Sequence, residues 1–217
     1  MIKIPNCVLP GVCEWQFAID GMRAPMNSWK NSDTIGVGKN RYVEIGENDM
    51  KLMIRLIQAG TEHRKFLRML HLKMEIIAPR FFIVEMDTYK VGTTKNSCST
   101  MHKIMSKEFE RKDFSMDGLQ DNELDDIIAN LNTLRSLYLN CSDNDRKKEY
   151  WRKVIMLLPQ CYNQKFFIDI SYETALNMYF QRRHHKLSEW RDFCEYLLTI
   201  PYFKDFVNCL EEEVKDE

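Results

Sequence analysis

The sequence predicts an α+β fold, with long helices packed around a small, mainly antiparallel sheet, and three observations predict it. Apolar residues recur at helical spacing in Met53, Leu56 and Ile57, again from Leu124 to Tyr138, and again around Trp151 to Leu158. Two short stretches alternate instead, Leu72-Lys73-Met74-Glu75-Ile76 and Phe166-Phe167-Ile168-Asp169-Ile170, as strands with one buried face do. No internal repeat, low-complexity tract or Pro/Gly-rich linker divides the 217 residues, so one domain over 1–217 is expected, with an irregular part at 1–47 and a core at about 50–200.

Taken in order, Trp15-Gln16-Phe17-Ala18-Ile19 alternates briefly like a strand, and Gly21 to Gly46 is rich in turn formers, which predicts a long ordered loop. Asn48 is placed to cap a helix carrying Met53, Leu56 and Ile57, and Gly60 stands where a glycine stop belongs. A strand begins at His71 and Pro79 opens a helix behind it. Thr88 to Ser99 lacks helical periodicity and is rich in hydroxyls, which suggests a loop held against something polar. Leu124, Ile127, Ile128, Leu131, Leu134 and Tyr138 mark an amphipathic helix, and Trp151, Val154, Ile155 and Leu158 mark another that ends before Pro159. After the aromatic strand, Glu173 to Arg183 reads as a helix, and Ser188 is placed to cap a last one through Trp190, Phe193, Cys194 and Leu197.

Charge and cysteine usage exclude several classes. Lysine plus arginine (31) nearly balances aspartate plus glutamate (32), so no global field favours nucleic acid or an anionic membrane. Met1 to Pro5 lacks the apolar region of a secretory signal, and no stretch approaches the roughly 20 apolar residues of a membrane span, so the expected location is cytoplasmic. The seven cysteines form no CxxC or zinc-like spacing and are expected to be free thiols in a reducing compartment. Adjacent His184 and His185 point to different sides of a helix, and no metal is predicted.

Gly36-Val37-Gly38 lacks the third glycine and the strand-to-helix context of a dinucleotide loop. Two segments carry more chemistry. Thr93, Thr94, Ser97, Ser99 and Thr100, with Lys90, Lys95 and Asn96, offer the donors and charge that a phosphate or pyrimidine edge requires; a solvated loop satisfying its own backbone is the alternative. Gln181-Arg182-Arg183-His184-His185-Lys186 gathers more positive charge than a helix C-terminus needs, so an anion site stands beside a solvated face as its reading. No Ser/His/Asp or Cys/His grouping can be assembled, and Asp125-Asp126 lies on a helix where solvent explains it. A chain without an evident nucleophile suits chemistry performed by a bound cofactor.

Read in order, Lys51 to Gly60, then Phe66, His71 and Glu75-Ile76-Ile77-Ala78-Pro79-Arg80-Phe81 resemble the flavin-dependent thymidylate synthases, in which a helix ends at Gly-His and a strand closing on Ala-Pro-x-Phe leads into the signature. Leu158-Pro159, the aromatic strand, the helix before Arg183, and His185-x-x-x-Glu189-Trp190-Arg191 resemble the family's later elements. The signature Arg-His-Arg-x-x-Ser-x-Asn-Glu-x-Ser-x-Arg-Tyr is matched by Tyr89 to His102, where Thr94, Asn96 and Ser99 keep the polar pattern. The Arg-His-Arg triplet, the acidic residue and the late arginine are absent, and Thr174 stands near the place of another family arginine.

The resemblance implies a homotetramer with FAD and deoxyuridylate (dUMP) bound between subunits. It further implies reductive methylation of dUMP or a related pyrimidine nucleotide, using methylenetetrahydrofolate and NADPH, with no enzyme-bound nucleophile. Carried over residue by residue, it places Lys90, Thr94, Asn96, Ser97, Arg183 and His185 at the cofactor, and Ser99, Gln181, Arg182 and Arg191 at the substrate. A second reading is a non-catalytic scaffold of this type that binds another nucleotide or a protein partner. A nucleic-acid binder using Arg182 to Lys186 is the third, and the near-neutral net charge disfavours it.

Overall fold

A computed structural model describes residues 2–36, 43–120 and 122–213. In chain order the helices are α1 (Val12–Arg23), α2 (Glu47–Gln58), α3 (Arg80–Met86), α4 (Thr100–Lys103), α5 (Asp125–Asn140), α6 (Asn144–Leu157), α7 (Tyr172–Arg182), α8 (Ser188–Leu197) and α9 (Phe203–Glu213). The strands β1 (Lys3–Val8), β2 (His71–Pro79), β3 (Thr93–Ser97) and β4 (Asn163–Ser171) form one sheet in the order β1-β2-β4-β3.

Side-chain pairs fix the central register. His71 Nδ1 lies 2.7 Å from Asp169 Oδ1, and Lys165 Nζ lies 2.6 Å from Glu75 Oε1. Four residues forward on β2 therefore match four residues back on β4, so the two strands run antiparallel without a bulge between the pairs. Leu72, Met74, Ile76 and Ala78 alternate inward with Phe166, Ile168 and Ile170, all buried.

The chain packs as two compact units, one of Met1–Pro5, Glu75–Thr88 and Asn96–Phe167, the other of Asn6–Met74, Tyr89–Lys95 and Ile168–Glu217. In the first unit α5 and α6 bury Leu131 and Val154 with Phe109, Phe114, Leu124 and Leu158. The Asp143 carboxylate opens α6 by accepting from the amides of Asp145 (2.8 Å) and Arg146 (3.2 Å). In the second unit the core is aromatic: Trp15 meets Tyr172 edge-on at 5.6 Å, and Tyr172 packs against Phe203 and Phe206.

Several expectations are corrected. Trp15 to Ile19 is part of α1 and not a strand, because Trp15, Ala18, Ile19 and Met22 are the buried set and recur at three- and four-residue intervals. Residues 2–36 thus form β1, α1 and two 3-10 turns at Ala24–Met26 and Trp29–Asn31. The cap of α2 is not Asn48: the Asp33 carboxylate accepts from the amides of Asn48 (2.9 Å) and Asp49 (3.1 Å). A Cβ at Gly46 would stand 2.2 Å from that carboxylate, so the close approach requires glycine there. Gly60, at φ +97°, ends this region as expected. Ser188 is the first residue of α8 and not its cap, which is Leu187. The 88–99 segment is not all loop, since β3 joins the sheet edge. The helix α9 lies beyond the elements expected from sequence, although Phe203, Phe206, Val207 and Leu210 recur at helical spacing.

One polar cluster holds the early segment in place. Asp49, fully buried, accepts from Arg23 Nε at 2.6 Å, Ser32 Oγ at 2.8 Å, Thr34 Oγ1 at 2.6 Å and the amides of Asp33 and Thr34. Burial pushes its carboxyl up, but the hydrogen bonds from Thr34, Arg23 and Ser32, with the Arg23 charge, outweigh that and hold it below its ordinary value.

Candidate functional site

The two segments singled out by sequence fold as follows. In the second unit, Tyr89 begins the rewritten signature with its phenol fixed: Arg182 Nε donates to it at 2.7 Å, and it donates to Gln181 Oε1 at 2.9 Å. The Arg182 guanidinium lies 5.5 Å from the Tyr89 ring centre and 5.1 Å from that of Trp190. Gln181 and Arg182 are therefore brought to the signature, but as anchors of Tyr89.

The turn that follows closes on the start of α7. Gly92 adopts φ +65°, and a Cβ there would meet Thr174 Oγ1 at 2.7 Å. Thr174 Oγ1 donates to the Val91 carbonyl at 3.1 Å, and the Ser171 amide donates to the Gly92 carbonyl at 3.3 Å. Lys90 and Thr94 project outward and are exposed. Thr93 Oγ1 is buried and has no hydrogen-bond partner among the described residues.

Arg183, Arg191 and His185 are engaged elsewhere in the same unit. Arg183 pairs with Glu211 and lies over the Tyr179 and Phe180 rings, which ties α7 to α9. Arg191 Nη1 donates to the carbonyls of His185 (2.7 Å) and Lys186 (3.0 Å) and so closes the α7–α8 turn. His185 Nδ1 accepts from the Leu187 amide at 3.2 Å. No group of three His, Cys, Asp or Glu side chains among the described residues is arranged to hold a metal ion. Of Gly36-Val37-Gly38, the last two residues lie outside the described residues.

In the first unit, Asn96, Ser97 and Ser99 are exposed on the run from β3 into α4. Ser99 Oγ caps α4 by accepting from the His102 amide at 3.1 Å. Beside it opens a cavity of about 220 Å³ lined by Ser99, Thr100, Lys103, Lys107, Tyr162 and Lys165, with Cys98 at its edge. Its rear strand is locked, because the Cys98 amide donates to the Lys165 carbonyl at 2.9 Å and Gln164 Nε2 donates to the Cys98 carbonyl at 2.5 Å.

Three ammonium groups border this cavity. Lys165 is held by Glu75, whose hydrogen bond and charge raise the lysine's pKa and keep it cationic. Lys107 is held by Asp113. Lys103 makes no ion pair among the described residues. Burial, with the charge of Asp113, pushes the Tyr162 phenol up, so it stays a hydrogen-bond donor at neutral pH. Cations, hydroxyls and a neutral phenol, with the Asp113 carboxylate also in the lining, give this cavity donors and positive charge of the kind an anion with a polar edge requires. Ser99 and Thr100 belong to the hydroxyl run singled out by sequence, whereas Lys103, Lys107, Tyr162 and Lys165 were not among the expected residues. The four-residue spacing of Lys103 and Lys107 behind the hydroxyl run, and the outward phase of Lys165 on its strand, were the available signals.

No protein-family model matches the sequence, and no curated protein matches it significantly. Solved structures do match its fold. Thymidylate synthase X from Helicobacter pylori, crystallised with FAD and dUMP, superposes with a TM-score of 0.66 over 96% of this chain and 98% of its own, at 19% identity. A second structure of the flavin-dependent enzyme from Helicobacter pylori, complexed with FAD and dUMP, gives the same TM-score and coverage at 18% identity. The chain has the thymidylate synthase X fold, an α+β architecture, as its sequence led one to expect.

Proposed function

On a scaffold of the thymidylate synthase X fold, we propose that this chain binds a pyrimidine nucleoside monophosphate of the dUMP type, with the phosphate at the Ser99, Lys103 and Lys165 cavity. The observation that carries the reading is Lys103: an ammonium beside a helix-capping hydroxyl, without a carboxylate of its own among the described residues, directly after the segment that resembles the family signature. Lysine supplies a point charge and not a guanidinium fork, so phosphate is gripped here with less directional control. The neighbouring structures hold dUMP, which supports the ligand class.

A flavin dinucleotide asks for more, because its two linked phosphates need unspent cations. Within one chain Arg182, Arg183 and Arg191 are committed to Tyr89, Glu211 and the α7–α8 turn. The residues present fit a nucleoside monophosphate and fit a flavin diphosphate only if a second copy adds cations. The second reading is therefore the assembled enzyme: a homotetramer carrying FAD and methylating dUMP with methylenetetrahydrofolate and NADPH. The buried Thr93 hydroxyl, without a partner among the described residues, favours it, since a buried donor without a partner calls for one from outside the chain.

Calorimetric titration of the full chain with dUMP tests the first reading. Saturable binding, weakened about tenfold in Lys103→Gln, is expected for the loss of one charge-assisted hydrogen bond. No saturation, or indifference to Lys103→Gln, refutes it. A flavin absorbance spectrum on the purified protein, with a tetramer by sedimentation, would establish the second reading; a colourless protein that FAD does not stabilise sinks it.

A further inference from the structure

A second and larger depression lies in the other unit, distant in sequence from the signature. It has a volume of about 690 Å³ and is bounded by the 3-10 turn that carries Lys30 on one side and by α2 on the other. Met26 and Leu52 supply apolar surface; Lys30, Lys51 and Arg55 supply charge; Asn48 supplies an amide. No carboxylate is among its lining residues.

Lys51 and Arg55 are one helical turn apart on α2 and so lie on one face of it. Lys51 pairs with Glu47 at the exposed rim, a contact that solvent makes easy to exchange. Arg55 lies 3.7 Å from the Met26 sulfur, and neither Arg55 nor Lys30 has an ion pair among the described residues. Arg23 also lines the depression, but its guanidinium is spent on Asp49 and on the carbonyls of Ser28 and Asn31. That buried network has a consequence for the depression. It fixes the turn bearing Lys30 to the first turn of α2, so the two cationic walls are held at a set separation before any ligand arrives.

From this geometry we infer a second ligand site: a groove for a phosphate-bearing small molecule of nucleoside diphosphate size, gripped by Arg55, Lys30 and Lys51. The volume falls in the usual range of small-molecule sites, about 300–1,000 Å³, and exceeds what a lone phosphate fills. Arg55 offers a guanidinium fork to a phosphate, the two lysines offer point charges, and Met26 and Leu52 offer surface for an apolar or aromatic moiety. This site is independent of the monophosphate cavity beside Ser99.

The test is calorimetric titration of the full chain with ADP and with inorganic pyrophosphate at low salt. Both probes should saturate. Arg55→Gln and Lys30→Gln, each at an exposed position on a separate element, should weaken both probes about tenfold with an unchanged melting temperature. Lys103→Gln should leave both unaffected, while dUMP binding follows the opposite pattern. The inference is overturned if neither probe saturates at millimolar concentration or if both groove variants bind as the parent does. It is equally overturned if Lys103→Gln abolishes binding, or if a single-stranded oligonucleotide binds more tightly than either probe.

Discussion

The Thr174 hydroxyl donates to the carbonyl of Val91 at 3.1 Å, joining the first turn of α7 to the turn that opens the rewritten signature. Gly92 turns its hydrogen side to Thr174 Oγ1, and a Cβ there would stand 2.7 Å from that oxygen, which leaves no room for a methyl group. Gly92→Ala forces a Cβ into a left-handed, occupied position and should destabilise by about 1–3 kcal/mol. Thr174→Val removes the donor and should cost about 1 kcal/mol. Denaturant unfolding measures both, and two neutral results would dissolve the account.

Arg23 and Asp49 form a buried pair, and both carboxylate oxygens accept hydrogen bonds, Oδ1 from Arg23 and Oδ2 from Ser32, Asp33 and Thr34. Asp49→Ala strands a buried guanidinium and should destabilise by about 3–5 kcal/mol. Chemical denaturation with a fluorescence readout suffices, and a cost under about 1 kcal/mol would mean the cluster is not the staple described.

The same carboxyl sets an acid limit. Its folded pKa lies below the ordinary 3.8, so the stabilisation is complete above that value and is lost as the pH falls through it towards the lower folded value. Melting temperature measured from pH 6 downward should drop in this window, and less steeply in Asp49→Asn than in the parent. Parallel curves would assign the acid limit to other groups.

Tyr89 receives Arg182 and reaches Gln181 with one hydroxyl. Tyr89→Phe should cost about 1 kcal/mol and raise amide hydrogen exchange in residues 89–93 above that of α7. Unchanged exchange would show that the Gly92 contacts alone hold the turn.

The cysteines divide by burial. Burial, with a smaller contribution from the charge of Glu195, pushes the Cys194 thiol up to about 12, while Cys13 and Cys98 are exposed. Alkylation at pH 8 followed by peptide mass spectrometry should label Cys13 and Cys98 in the folded protein and Cys194 only after unfolding. Early labelling of Cys194 would contradict its place in the core.

Local pattern was enough for much of this molecule. The periodicities of Leu124 to Tyr138, Trp151 to Leu158, His71 to Ile76 and Phe166 to Ile170 determined their helices and strands, because each buries one face and a face repeats at 3.6 or 2 residues. The ordered run from Lys51 to Arg191 determined the fold, through spacings that reflect how those elements follow one another. Contacts between distant residues could be decided only in three dimensions. Asp33 caps a helix fourteen positions later in the chain, and Arg23 finds Asp49 across a segment that reads as loop. Arg183 and Arg191 look like ligand cations in a list of residues, yet the structure spends them on Glu211 and on backbone carbonyls, while Lys103 and Lys165 meet at a cavity. A side chain's type is written in the sequence, but whether its charge is still available depends on which partner the fold brings within about 3 Å.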